Sequence, residues 1–405
     1  MHIAAVLFGC VFLAGVLLDA FQTIILPRRP VGRLRLTRLF FLATWGPWVG
    51  LTGLVPPRRV RELLYSVFGP LSLLLLFGLW AFLLIVAYAL LYFGLHTPFT
   101  DPMQPVTALQ QLRTCLYASG STLFTLGLGD VVPATRIARL FVVIEAGTGL
   151  GFVALVIGYL PVLYTAFSTR EISVALLDAR AGSPPTAGEL LLRHNFSGGH
   201  HALTQLLAEW ERWCAGMLET HISYPILCYY RSQHDNQSWL AALTAILDTC
   251  ALLITTIDGP NTRQAQLTFA VGRHVLVDLG HVFRQEPYED RFRQAPPTRL
   301  LEDEFARLCE LLSVAGFSLC GDRETHARLT AIRSLYEPHA LAMGRYLHLE
   351  LPQWTPPVPD PARKPDGWSR VADLRSPQAL TDRITTHISS QSTATHLQDD
   401  RSHRF

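Results

Sequence analysis

Residues 122–133 read Thr-Leu-Phe-Thr-Leu-Gly-Leu-Gly-Asp-Val-Val-Pro and lie between two long apolar stretches. Gly127 and Gly129 stand at alternate positions. A strand that alternates between ordinary and left-handed backbone conformations points its successive carbonyls down one axis, and glycine enters the left-handed region at little steric cost. A lone Gly-x-Gly-Asp carries little weight, because the same residues favour ordinary turns. The flanks make it specific. Residues 102–122 are long enough for a short helix with a lead-in, and residues 136–168 read as one long apolar helix.

With those flanks, the Thr-x-Gly-x-Gly-Asp core resembles the pore loop of tetrameric potassium channels. The whole chain is similar to the bacterial group described as two pore domain potassium channel family proteins, although it shows a single pore loop. The resemblance implies an all-α membrane protein. Its pore would consist of an outer helix, a pore helix, a filter and an inner helix, with an extra N-terminal helix and an α-helical cytoplasmic domain. It implies potassium sites at Thr125, Leu126, Gly127 and Leu128, made of backbone carbonyls that replace the hydration shell. Thr125 would add hydroxyls at the inner end, Gly129 would complete the strand, and Asp130 would sit at the outer mouth. Two departures from the family pattern stand out. Leu128 occupies a position where many members have Tyr. Ser121 occupies a position where some have a Glu that braces the outer Asp, so that brace is expected to be missing.

The chain has 405 residues, of which 49% are hydrophobic, and a mean hydropathy of +0.25. A positive mean over this length suggests a membrane portion joined to a soluble one. The net charge of +2 points to no polyanionic partner, and no nucleic acid is expected. The positive charge is almost all arginine, with Lys364 the one lysine. The seven cysteines are scattered without a Cys-x-x-Cys, so neither a zinc knuckle nor a redox motif is supported.

Residues 3–26 are apolar and long enough to span. They lack a basic leader and a small-residue cleavage site, which favours a retained helix over a signal peptide. Arg28, Arg29, Arg33, Arg35 and Arg38 follow, which puts this end in the cytoplasm and the N-terminus outside. Residues 39–55 are apolar but short, with a break expected at Gly46-Pro47. An interfacial or re-entrant segment fits better than a full span, with Trp45 and Trp48 at headgroup level. Residues 66–95 form the next span, and His96–Pro105 an external turret. Asp19 in the first span is expected to pair with a nearby arginine.

The inner helix carries Gly147, Gly149, Gly151, Gly158 and Pro161. Close helix packing explains small residues in membrane helices. The resemblance also allows a gating hinge at Gly149, Gly151, Gly158 and Pro161, and the proline is expected to kink the helix. Glu145 is an intramembrane carboxylate, for which a structural or gating role is preferred over ion binding.

From Arg170 the pattern is amphipathic helix, with Thr186 and Glu189 spaced as a capping box. Helical patterns follow near 200–220, 238–257, 261–284, 298–316 and 322–350. Trp239–Ile257 is nearly all apolar, but Asp248 in its middle argues for a buried bundle helix. No Gly-x-Gly-x-x-Gly follows a strand, which speaks against a dinucleotide-binding regulatory domain. Between 219 and 237 the chain is dense in polar and aromatic groups. A buried structural network is one reading, and a small-ligand site of His221, Tyr224, Arg231, His234 and Asp235 is the other. From Leu351 the composition turns to Pro, Ser, Thr, Gln and Asp, which reads as a disordered tail.

The expected domains are 1–62 (N-terminal membrane helix plus interfacial segment), 63–169 (pore domain), 170–350 (cytoplasmic helical domain) and 351–405 (tail). The expected function is a passive, potassium-selective homotetrameric channel in the bacterial inner membrane, in contact with lipid. It would be gated by the inner helix under control of the cytoplasmic domain, whose ligand or protein partner is unknown. It would have no cofactor other than permeant potassium and no enzymatic step. A nonselective or sodium-permeable channel, kept open by Leu128, and a non-conducting membrane sensor are the rivals. Ala118-Ser119-Gly120-Ser121 faintly resembles an intramembrane serine protease, but the spans are too few.

Overall fold

The computed structural model describes residues 2–26, 35–96, 99–103, 106–233, 237–284, 298–319 and 323–356. The chain forms two compact units, Met1–Thr169 with Met217–Arg231 and Arg170–Gly216 with Ser232–Phe405. The stretch Met217–Arg231 thus belongs to the first unit although it lies far beyond residue 169 in the chain.

In the first unit, α1 (His2–Ala20) runs into a π-helical turn, Phe21–Ile25, and is followed by α2 (Leu36–Gly53) and α3 (Arg58–Gly94). A two-residue strand β1 (Phe99–Thr100), α4 (Ala108–Leu123), a strand β2 (Val132–Pro133) and α5 (Arg136–Ala181) complete the order. The stretches His2–Ile25, Arg58–Gly94 and Arg136–Ala181 are long and apolar enough to cross a membrane. The shortest of them, 24 residues, reaches about 36 Å at ~1.5 Å per residue, against ~30 Å of hydrocarbon.

Small residues bring α1 and α3 together, as expected where lipid gives no hydrophobic drive between helices. A Cβ at Gly9 would lie 3.0 Å from the Ala87 carbonyl, and one at Gly94 2.8 Å from the Val6 backbone nitrogen. Asp19 is buried where α1, α2 and α3 meet. It accepts from the Thr37 backbone N–H at 3.0 Å, the Thr37 hydroxyl at 2.6 Å and the Trp80 indole at 3.0 Å, with Arg35 at 3.7 Å. Arg28, Arg29 and Arg33 lie outside the described residues.

The expected break at Gly46-Pro47 does not occur. Helix α2 is continuous from Leu36 to Gly53 with Pro47 inside it. Its aromatic residues hold it to α3: Trp45 packs on Phe68 at 4.7 Å, and Trp48 donates to the Leu64 carbonyl at 3.2 Å. Helix α5 likewise passes through Pro161 without interruption, and at 46 residues it extends well beyond the expected end near 168.

The second unit contains the end of α5, α6 (Ala187–Arg193), most of α7 (Gly199–Ser223), α8 (Trp239–Thr255), α9 (Thr262–Phe283), α10 (Glu302–Val314), α11 (Arg323–Ser334) and α12 (Glu337–Leu347). Thr186 caps α6 by accepting from the Glu189 N–H at 3.2 Å, while the Glu189 side chain turns away to pair with Arg193 at 2.7 Å. The pattern expected over 322–350 is two helices. Pro338 sits at the start of α12 and cannot extend the hydrogen-bond ladder of the preceding helix, so the chain breaks at Leu335–Tyr336.

Helix α8 is buried on all sides from Trp239 to Leu253, which accounts for its span-like composition. Its one charge, Asp248, accepts two hydrogen bonds from Arg299, at 2.7 and 3.0 Å, and one from the Tyr336 hydroxyl at 2.5 Å. Glu337 lies 3.0 Å from Arg299 and 2.8 Å from Arg333. Burial works against the Arg299 charge, but Asp248 outweighs it and raises the guanidinium above its ordinary range. The Trp354 ring covers both guanidinium groups, at 5.7 and 5.3 Å, and is 2% exposed. Residues 351–356 are therefore packed, contrary to a disordered tail from Leu351, because Trp354 is the apolar lid of this charge cluster. The rest of that tail, 357–405, lies outside the described residues. Asp248→Ala would take from buried Arg299 the carboxylate that holds it at two points, leaving Glu337 beside it, and from the buried Tyr336 hydroxyl this acceptor, at a cost of ~3–5 kcal/mol. The expected outcome is a clear drop in the urea midpoint for unfolding of this unit, whereas Asp303→Ala, on the exposed pair with Arg307, leaves it unchanged.

Candidate functional site

The site is built on the C-terminal end of α4. Thr107 starts that helix with a capping box, its hydroxyl accepting from the Gln110 N–H at 3.3 Å and the Gln110 side chain accepting from the Thr107 N–H at 3.0 Å. Ahead of it, Asp101 accepts from the Thr114 hydroxyl at 2.5 Å, and β1 pairs with β2, Phe99 opposite Pro133. Both ends of the 122–133 segment are thereby fixed. The last turn closes through Leu126 N–H to the Ser121 carbonyl at 2.8 Å and Thr125 N–H to the Thr122 carbonyl at 3.0 Å.

From there the backbone alternates. Thr125, Gly127 and Gly129 have φ of +56°, +60° and +78°, while Leu126 and Leu128 between them do not enter the positive region. The glycines make this cheap, but Thr125 has no such freedom, so the surrounding fold must hold it there. An alternation of this kind turns successive carbonyls to the same side of the strand. Among the described residues, and apart from the two chain neighbours, no heavy atom lies within 4 Å of a Cβ placed on Gly127 or Gly129. Leu126 and Leu128 are 61% and 63% exposed, so their own chain does not pack them.

Asp130 is held, though not from position 121. The Tyr117 hydroxyl donates to it at 2.6 Å, and the Val131 N–H at 3.0 Å. The tyrosine bond favours the charged form and holds the Asp130 carboxyl below the usual carboxylate range. The brace sought at Ser121 comes from one helical turn earlier on the same face of α4. That spacing of four was the signal available in the sequence.

Glu145 on α5 is fully buried behind this segment. It accepts from the Tyr92 hydroxyl of α3 at 2.5 Å and contacts the Ser119 hydroxyl of α4. Ser119 also reaches the Ile85 carbonyl at 3.0 Å. One carboxyl therefore ties three helices together. Tyr92 was not singled out from the sequence, and Ser119 was noted only in the Ala118–Ser121 run with its faint protease resemblance; nothing local marks either as a partner of Glu145.

Gly149 lies against the end of α4. A Cβ there would stand 2.1 Å from the Leu123 carbonyl oxygen, whereas Gly147, Gly151 and Gly158 have nothing within 4 Å. This close approach gives a reason for glycine at 149 that requires no bending.

Of the residues considered for a ligand, His221 is buried beside the Thr220 hydroxyl at 2.9 Å. Tyr224 packs edge-on against Tyr159 at 5.5 Å, and Arg231 lies 3.6 Å from Glu62 with its guanidinium 4.9 Å from the Tyr65 ring centre. All three fall in the first unit. His234 and Asp235 lie outside the described residues.

Residues 73–165, which include Tyr117, Thr125–Asp130, Glu145 and Gly149, match the model of a family described as "Ion channel". The chain is also 28% identical over 238 residues to the "Uncharacterized membrane protein YdjJ" of Bacillus subtilis (strain 168). That similarity covers 57% of this chain and 66% of the relative, just under two thirds of its length. No solved structure matches the chain.

Proposed function

We propose that the protein is a potassium-selective channel assembled from four copies of this chain. One observation carries the reading: positive φ at Thr125, Gly127 and Gly129, directly after a short capped helix and inside an ion-channel domain. One chain supplies one strand of carbonyls, and a ring needs several around an axis. In this reading Thr125, Leu126, Gly127 and Leu128 coordinate dehydrated potassium, and ions pass by mutual repulsion between adjacent sites. Asp130, at the outer mouth, draws cations in. The C-terminal part of the α5 span forms the gate, and the second unit sets its position. The arginine distribution favours an inner-membrane protein with its N-terminus outside and the second unit in the cytoplasm.

A sodium-permeable channel is the second reading, favoured by the exposed Leu128, which lacks a polar tip to brace the ring. Purified full-length protein in planar bilayers separates the two. Under a tenfold potassium gradient, with sodium balancing the dilute side, potassium selectivity places the reversal potential near the monovalent limit of about 59 mV. A value near zero makes the pathway nonselective. No current with either ion, from the wild type or from variants that free its inner helix, sinks the channel reading.

A further inference from the structure

The segment Tyr224–Arg231, between α7 and α8, is buried among the membrane helices. Ile226, Leu227, Cys228 and Tyr229 are 6%, 0%, 2% and 5% exposed. Ile226 and Leu227 share one core with Leu73, Leu76 and Phe77 of α3 and with Tyr159, Leu163 and Phe167 of α5. Tyr229 stacks on Phe41 at 5.3 Å and meets Trp45 at 5.1 Å and Phe68 at 5.4 Å. Tyr230 contacts Phe167 at 5.6 Å, and its ring lies so close to α3 that a Cβ on Gly69 would stand 2.8 Å from it. The segment is tied at both ends, through Gly216 and Ser232, to the second unit.

We propose that this aromatic pocket of α2, α3 and α5 is the docking site of the Tyr224–Arg231 segment, and that the docked segment keeps the pathway shut. The proposal rests on the channel reading above. The pocket spans Tyr159 to Phe167 of α5, which bracket Pro161, so it grips the part of the helix best able to bend. To widen a pathway on its other side, this part of α5 must move toward α3. That space is filled by Ile226 and Leu227, and packed interiors do not compress. Movement therefore requires the segment to leave. Because the chain passes into the second unit on either side of it, at Gly216 and at Ser232, whatever that unit senses can pull it out. Tyr224 and Arg231 act as parts of this contact, not as ligand-binding groups.

The test uses full-length protein in lipid, with two variants, Gly69→Leu and Leu227→Asp. Cys228 reports docking, because a buried thiol is protected from maleimide; its labelling is read by peptide mass spectrometry. Planar-bilayer recording in potassium chloride reports open probability. Overpacking or a buried charge of this kind shifts a two-state equilibrium about tenfold. Cys228 labelling and open probability are expected to rise together by about that factor, with unit conductance unchanged. A Cys228 already reactive in the wild type, or protected in both variants, overturns the docking. Labelling that rises while open probability stays level or falls overturns the gating role. Absence of current in the wild type and in both variants, with Cys228 labelled in the variants, strikes the channel reading itself, a different failure.

Discussion

Gly149→Ala is expected to abolish current, although it adds a single methyl group to an already helical residue. The methyl carbon would sit 2.1 Å from the Leu123 carbonyl oxygen, a contact between two backbones in which neither side has a rotamer to yield. Leu123 lies two residues before Thr125, so any shift of the α4 end disturbs the strained alternation that starts there. Overpacking of a tight contact costs ~1–3 kcal/mol, and here it falls on the conducting backbone. Ion flux into liposomes should drop at least about tenfold, as a change of that size does to an equilibrium. Gly151→Ala and Gly158→Ala are the controls. Among the described residues outside its own helix turn, nothing lies within 4 Å of a Cβ at either position, and alanine favours a helix by about 0.5–1 kcal/mol over glycine, so both should keep the fold. Normal flux through Gly149→Ala would show that α4 and α5 do not approach in this way.

Glu145→Gln is expected to conduct like the wild type, and Glu145→Ala is not. The Ser119 hydroxyl has one proton and two neighbours, the Ile85 carbonyl at 3.0 Å and the Glu145 carboxyl. If that proton goes to Ile85, the group facing Ser119 must donate, and the glutamine amide does so while its carbonyl still accepts from Tyr92. Alanine leaves both buried hydroxyls without this partner, at ~1–3 kcal/mol each. It also frees α4 from α3 and α5 at once. Glutamine flux within about twofold of wild type, against a loss of about tenfold or more for alanine, follows from these energies. Equal loss in both would mean that the negative charge itself is required, and equal flux would mean that the three-helix tie is dispensable.

Part of this site is visible in the residues alone. Gly127 and Gly129 announce the backbone alternation because glycine has a local conformational meaning. Thr125 carries the same positive φ without any such mark; extending the two-residue period back from Gly127 would have found it. Tyr117 is less visible. Attention falls on Ser121, yet the residue one turn earlier is the one whose hydroxyl reaches Asp130 at 2.6 Å. Asp248 tells the opposite story. A lone carboxylate in an apolar helix signals burial, but its partner Arg299 is 51 residues away and nothing nearby names it. The break expected at Gly46-Pro47 fails for a related reason. A proline removes one hydrogen bond, but whether the helix breaks there depends on what packs around it. At Pro47, Trp45 and Trp48 hold the turn against α3.

From the sequence by itself came the lengths of the apolar stretches, the alternate placing of Gly127 and Gly129 and the helical patterns beyond Arg170. These are properties of short windows, set by chirality, side-chain size and periodicity. The tertiary structure decided which groups meet: Gly149 with Leu123, Glu145 with Tyr92 and Ser119, and the buried course of Tyr224–Arg231 between α3 and α5. Those contacts depend on close approach between residues distant in the chain, which is a product of packing and leaves no periodic trace in the residues that make it.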